Sequence, residues 1–275
     1  MRTPRLLSIL LLSIALVGCG NSNNTSNTSN KLRVGMECNY APFNWTTTTA
    51  GEFTQQINET DYADGYDVVI ATRIAEALGY EVEIVKTDWD NLIPALQHNE
   101  IDAIIAGMTD TETRRESVSF TTPYYISKEV IIVQAGSDVA NITSIQELAG
   151  KRVIGQQGTL YDDLIDQIEG VIHEAPKADF PALVNDLKQG AVDAIVSELP
   201  VAIGVKAANP DLTFVEFSED NGFQGSVEDA SVSIAVAKDN TELRNAIQTA
   251  LDKISEEERE SIMADAVERQ PAVSE

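Results

Sequence analysis

Residues Glu100–Tyr125 read EIDAIIAGMTDTETRRESVSFTTPYY. The apolar run Ile101 to Ala106 reads as a strand and stops at Gly107. A short polar turn follows, Arg114 stands at the start of a predicted helix, and Phe120 to Tyr125 reads as an extended exit. Turn N–H groups, the Thr109 hydroxyl and the Arg114 guanidinium therefore surround one point at the end of a strand. Such a point suits a carboxylate, because a guanidinium makes two parallel charge-assisted bonds and turn amides supply more.

The order Gly107-Met108-Thr109, then Arg114, then Phe120 to Tyr125 with Pro123-Tyr124-Tyr125, resembles the amino-acid-binding solute receptors of bacterial ABC importers, solute-binding family 3. The resemblance implies the type II periplasmic-binding-protein fold: α/β and two-lobed, each lobe a mixed sheet flanked by helices, with two hinge crossings. It also implies that Arg114 clamps the ligand α-carboxylate, with Gly107 and Thr109 beside it.

Upstream, Lys31 to Met36 reads as a first strand. The loop after it, Glu37 to Trp45, matches the family's cleft loop ending in Tyr-x-Pro-Phe. By that resemblance Tyr40 packs on the ligand side chain, and Glu37 meets the distal cation of a basic amino acid. Thr46 to Asp64 is a long polar insertion, expected as a surface loop. Gly65 to Gly79 carries Ile70, Ile74 and Leu78 at four-residue spacing, an amphipathic helix ended by glycine. It resembles the family's Gly-aromatic-acid helix, except that Val69 stands where an acid is usual. Tyr80 to Lys86 alternates as a strand, and Asp88-Trp89-Asp90 caps the next helix. Trp89 matches the second aromatic of the family's ligand sandwich, opposite Tyr40.

Downstream, the chain is expected to cross to a second lobe at 126–129. Strands follow at Val130 to Gln134 and Lys151 to Gly155, and Ser144 to Glu147 is a capping box. Gln156-Gln157-Gly158-Thr159-Leu160 opens a helix, whose N-terminal N–H groups favour an anion. In the family this turn bonds the ligand carboxylate, which falls here on Thr159 and Leu160. After strand Val192 to Val196, Glu198 takes the position where the family usually has Asp on the ligand ammonium. A return crossing at 218–229 leads to strand Ser231 to Ala237 and two helices expected to pack on the first lobe. The lobes are thus 31–127 plus 230–275, and 130–217.

The chain of 275 residues is 43% hydrophobic, enough for real cores, and its formal charge of −25 disfavours nucleic acid as a partner. Residues 1–18 read as a signal segment: Arg2 and Arg5 precede a 12-residue apolar stretch, Leu6 to Val17, too short to span a membrane. The following Gly18-Cys19-Gly20 resembles a lipobox, which implies a lipidated Cys19. Residues 19–30 then form a polar tether to the membrane.

No nucleophile elbow, phosphate loop or metal-ligand spacing is present, so no cofactor, metal or catalytic residue is assigned. Cys38 is the sole cysteine besides Cys19, which leaves no internal disulfide. The expected protein is a monomeric, lipid-anchored receptor on the extracytoplasmic face of the cell membrane, handing a free amino acid to an ABC permease. Glu37 points to a basic amino acid (Arg, Lys or His). Glutamine or another neutral polar amino acid is the alternative, and a dehydratase of cyclic acids on the same scaffold is the rival from another class.

Overall fold

The computed structural model describes residues 30–225 and 231–271. The signal segment 1–18, Cys19, all of the tether but Asn30, and positions 226–230 of the second crossing lie outside the described residues.

Two five-stranded sheets carry the architecture, and they share one plan. In the first, Glu81–Lys86, Lys31–Met36 and Ala103–Ile104 run parallel, and Ser231–Ala237 pairs antiparallel between Ala103–Ile104 and Val118–Ile126. In the second, Ile172–His173, Arg152–Ile154 and Ala194–Glu198 run parallel, and Glu129–Gln134 pairs antiparallel between Ala194–Glu198 and Leu212–Glu216. The inner parallel strands are buried, with Val34, Met36, Ile104, Val153, Ile154, Ile195 and Val196 all covered, while the edge strands Glu81–Lys86 and Ile172–His173 are more exposed. Only Ser127 and Lys128 separate strand Val118–Ile126 of the first sheet from strand Glu129–Gln134 of the second.

The helix Tyr66–Leu78 shows how local sequence fixes its place. Ile70, Ala71, Ile74 and Ala75 are fully buried, and Gly79 ends the helix in left-handed backbone (φ 75°) with its N–H returned to the last turn. At the other end Gly65 has φ 130°, and a Cβ there would lie 2.3 Å from the Phe43 carbonyl oxygen. That close approach lets the N–H groups of Tyr66 and Asp67 bond to Pro42 and Phe43, so the helix starts locked onto the cleft loop.

Three expectations shift. The run Ile101 to Ala106 is buried nearly throughout, but only Ala103–Ile104 pairs as strand. Asp88 precedes a 3₁₀ turn, Trp89–Asn91, without a side-chain capping bond. The insertion 46–64 is not a plain loop: Asn44–Thr47, Gln55–Gln56 and Tyr62–Asp64 join Asn39–Tyr40 in a small antiparallel sheet. Arg269, at the end of helix Glu256–Arg269, holds that sheet through Asp64 (3.1 Å) and stacks its guanidinium 4.3 Å from the centre of the Phe53 ring. Beyond it, Gln270 lies against Gly204 on helix Leu199–Ala208, so the tail touches the second lobe as well as the first.

Candidate ligand-binding cleft

The two sheets turn the carboxyl ends of their parallel strands toward one cleft, the usual place for a ligand in an open α/β sheet. Lys31–Met36 delivers Glu37 and Tyr40, and Ala103–Ile104 delivers Gly107, Thr109 and Arg114. Arg152–Ile154 delivers Gln156, Thr159, Leu160 and Tyr161, and Val196 lies on the strand Ala194–Glu198. Trp89 and Phe180 complete the lining of the cleft.

Arg114 is held from two sides. Its Nη1 donates to the Thr109 carbonyl (2.7 Å), its Nη2 donates to the Gly158 carbonyl of the other lobe (3.0 Å), and the guanidinium lies 5.2 Å from the Trp89 ring centre. No carboxylate pairs with it among the described residues, and burial lowers its pKa to about 10. A desolvated, oriented guanidinium without an acid of its own is poised to receive one. Thr111 accepts from the Arg114 N–H at 3.3 Å and so starts the short helix Glu112–Arg115 that carries it.

At another wall Glu37 is 6% exposed, and Gln156 Nε2 from the second lobe donates to both its oxygens at 3.3 and 3.2 Å. Burial pushes its carboxyl up to about 7; the Gln156 and Asn39 amides pull it down, and nearby Asp179 and Asp88 push it further up. The described residues give Glu37 no cationic partner, so this end of the cleft is an acid in want of a cation.

Tyr40 lies in an aromatic group, stacked on Phe43 (5.6 Å) and edge-on to Phe180 (5.3 Å). Trp89 lines the cleft and donates its Nε1–H to the Gly158 carbonyl at 3.2 Å. Gly107 gives its N–H to the Tyr124 hydroxyl at 2.9 Å, and its left-handed backbone (φ 61°) is what favours glycine there. Thr159 begins helix Leu160–Asp163, with its N–H and hydroxyl both directed to the Gln156 carbonyl (3.3 and 2.8 Å).

Glu198 departs from the expected lining. It is fully buried, and one oxygen accepts from the Tyr40 hydroxyl across the lobes at 2.7 Å. Burial pushes it up to about 7, against the Tyr40, Ser127 and Tyr161 hydroxyls. Val196 and Tyr161 line the cleft in front of it. Sequence reading gave no role to Gln156, Tyr161, Phe180 or Val196. The Asp179 side chain, which caps Ala182, marks Phe180 as the first residue of a helix, but nothing in the chain order says that helix faces the cleft.

A stability prediction follows from Glu37. Its folded pKa, about 7, lies above the usual unfolded value, so its contribution is greatest at low pH and is lost as pH rises through 7. Melting of the ligand-free protein is expected to show wild type losing stability relative to Glu37→Gln between pH 5 and pH 8. A constant difference across that range would mean that Glu37 is not desolvated.

The cleft between two such lobes defines a class of solute receptor. The chain belongs to the bacterial extracellular solute-binding proteins, family 3, whose pattern matches residues 32–265. It is 34% identical, over 79% of its length and 81% of the relative's, to a Campylobacter jejuni protein described as "Probable histidine-binding protein". Among solved structures it resembles the amino acid ABC transporter substrate-binding protein AbpA of Streptococcus pneumoniae bound to L-arginine (TM-score 0.75, 30% identity, covering 87% of this chain and 95% of that one). It also resembles an ancestral arginine-binding protein bound to glutamine (TM-score 0.71, 32% identity, 86% and 97%). The type II periplasmic-binding-protein fold is thus common to the chain and its relatives.

Proposed function

We propose that this protein captures a basic amino acid, L-arginine foremost, and hands it to the permease of an ABC importer. Glu37 carries the reading: a buried carboxylate at the cleft, without a cation of its own among the described residues and with Asp88 and Asp179 close by. An uncompensated buried charge is costly, and a ligand guanidinium or ammonium offsets that cost. Arg114 would take the ligand α-carboxylate, with Thr109, Gly107 and the turn at Thr159 and Leu160 around it. Tyr40 and Trp89 would flank the side chain. Glu198 would take the α-ammonium beside the Tyr40 hydroxyl. The ligand then bridges 31–127 plus 230–275 on one side and 130–217 on the other, and that bridging favours the closed form.

The rest of the reading draws on sequence. Cys19 would bear the lipid that anchors a monomer to the outer face of the membrane, and 19–30 would tether it. The reading makes the protein a binder and not an enzyme, so turnover of prephenate or arogenate is expected to be nil.

Thermal melting of the refolded domain against each standard amino acid tests the proposal. Ligand at 100 times its dissociation constant adds about 2.7 kcal/mol, a rise of several degrees. A rise with Arg, Lys or His is the expected result. A rise with glutamine alone would favour the neutral-ligand reading, for which the glutamine-bound ancestral relative gives a precedent. No rise with any amino acid would overturn the receptor reading for free amino acids.

A further inference from the structure

Behind the cleft lies a buried acid that touches no part of its lining. Asp67 is 0% exposed and has no cationic partner among the described residues. It accepts two side-chain hydrogen bonds, from Asn44 Nδ2 on one oxygen (2.7 Å) and from the Tyr124 hydroxyl on the other (2.6 Å). Both donors are themselves engaged further out. The Asn44 carbonyl oxygen accepts from the Cys38 N–H at 2.7 Å, and the Tyr124 hydroxyl oxygen accepts from the Gly107 N–H at 2.9 Å.

The result is one continuous chain from Cys38 N–H through Asn44, Asp67 and Tyr124 to Gly107 N–H. Its ends fall at telling places. Cys38 follows Glu37, and Gly107 stands two residues before Thr109. Both end residues hold left-handed backbone, Cys38 at φ 58° and Gly107 at φ 61°. Each turn thus keeps an uncommon conformation through the N–H that this chain secures. Apolar packing alone would fill the space of Asp67 at less cost; what it would not do is accept from both sides and fix two turns against each other.

We propose that Asp67 is a positioning residue that sets the separation between the Glu37 end and the Thr109–Arg114 end of the cleft, and through it the length of ligand accepted. The inference rests on the proposed reading in which a ligand cation meets Glu37 and its carboxylate meets Arg114. Asp67 touches no ligand; it acts through Asn44 and Tyr124.

Calorimetric titration with L-arginine and L-homoarginine, which is longer by one methylene, tests it. In a fitted pocket one methylene is worth about 10-fold or more, so wild type is expected to prefer L-arginine by about that factor. Asp67→Asn keeps one acceptor oxygen where two are needed, leaves either the Asn44 amide or the Tyr124 hydroxyl proton without its acceptor, and so breaks the chain. Tyr124→Phe breaks one arm of it without touching Asp67. Both variants are expected to weaken L-arginine binding and to shrink the preference over L-homoarginine to about twofold. The double exchange Asn44→Asp with Asp67→Asn restores an acceptor for each donor along the chain. The Cys38 N–H and the amide introduced at position 67 then donate to the carboxylate introduced at position 44, and the Tyr124 hydroxyl donates to the amide carbonyl at position 67. The double exchange is expected to recover the preference.

A residue that only supports the fold would lower the melting temperature and weaken both ligands in parallel. An unchanged preference in Asp67→Asn and Tyr124→Phe overturns the proposal, as does a double exchange that folds but fails to recover it. Should Asp67→Asn not fold, Tyr124→Phe and the double exchange decide the matter. A wild type that binds neither ligand overturns the receptor reading itself, and the positioning role with it. A wild type that binds L-arginine with no length preference overturns the positioning role alone.

Discussion

Alanine at position 114 is expected to weaken L-arginine binding by about 100-fold or more, as truncating one partner of a desolvated charge pair costs about 2–5 kcal/mol. The geometry explains the size. The guanidinium is fixed by the Thr109 and Gly158 carbonyls and by the Trp89 ring, so its remaining donors are aimed before any ligand arrives. Lysine at this position keeps the charge but loses the planar fork and one of the two carbonyl contacts. An intermediate loss of about tenfold is therefore expected for Arg114→Lys. Calorimetry with L-arginine and its carboxamide separates the causes. Wild type is expected to discriminate strongly against the amide and Arg114→Ala hardly at all. An alanine variant that binds L-arginine within about threefold of wild type would put the carboxylate elsewhere in the cleft.

Glu37→Gln is expected to change which ligand binds, not only how tightly. Glutamine preserves shape and keeps a carbonyl oxygen for Gln156, but it removes the charge that attracts a distal cation. Loss of about 30-fold or more for L-arginine is expected, against little change for L-glutamine. Stability is expected to move the other way. At pH 8 the wild-type carboxylate is ionised although burial opposes it, and the neutral amide escapes that cost, so the ligand-free variant is expected to melt at or above wild type. Binding lost together with stability would indicate a damaged loop. An unchanged ranking of ligands would remove Glu37 as the selector.

Much of this was legible in the chain, for identifiable reasons. Arg114 and Thr109 could be read because a strand, a glycine, a turn and a short helix bring them together within one local stretch. The helix Tyr66–Leu78 could be read because four-residue spacing and a terminal glycine are local signals. Glu198 shows where that reasoning stops. Its extra methylene relative to the usual Asp leaves the charge unchanged, but the side chain meets Tyr40 from the other lobe, and that contact depends on how the lobes close. The same holds for Gln156 and Phe180, which face the cleft only because the second sheet is set against the first. The small sheet around the insertion was hidden for another reason: Asn39–Tyr40 and Gln55–Gln56 are two residues long, too short for alternation to show.

That small sheet has a practical consequence. Arg269 fastens it to the last long helix, Glu256–Arg269, through Asp64 and Phe53. A dye on exposed Gln56, which is paired with Tyr62 within that sheet, would therefore report the orientation of the sheet and not of a free loop. Paired with a second dye on exposed Glu169, just past the other lobe's helical turn, it would turn each rotation of the lobes into a change of energy transfer. The insertion thus offers an optical lever on the proposed closure, whose chemistry lies elsewhere in the molecule.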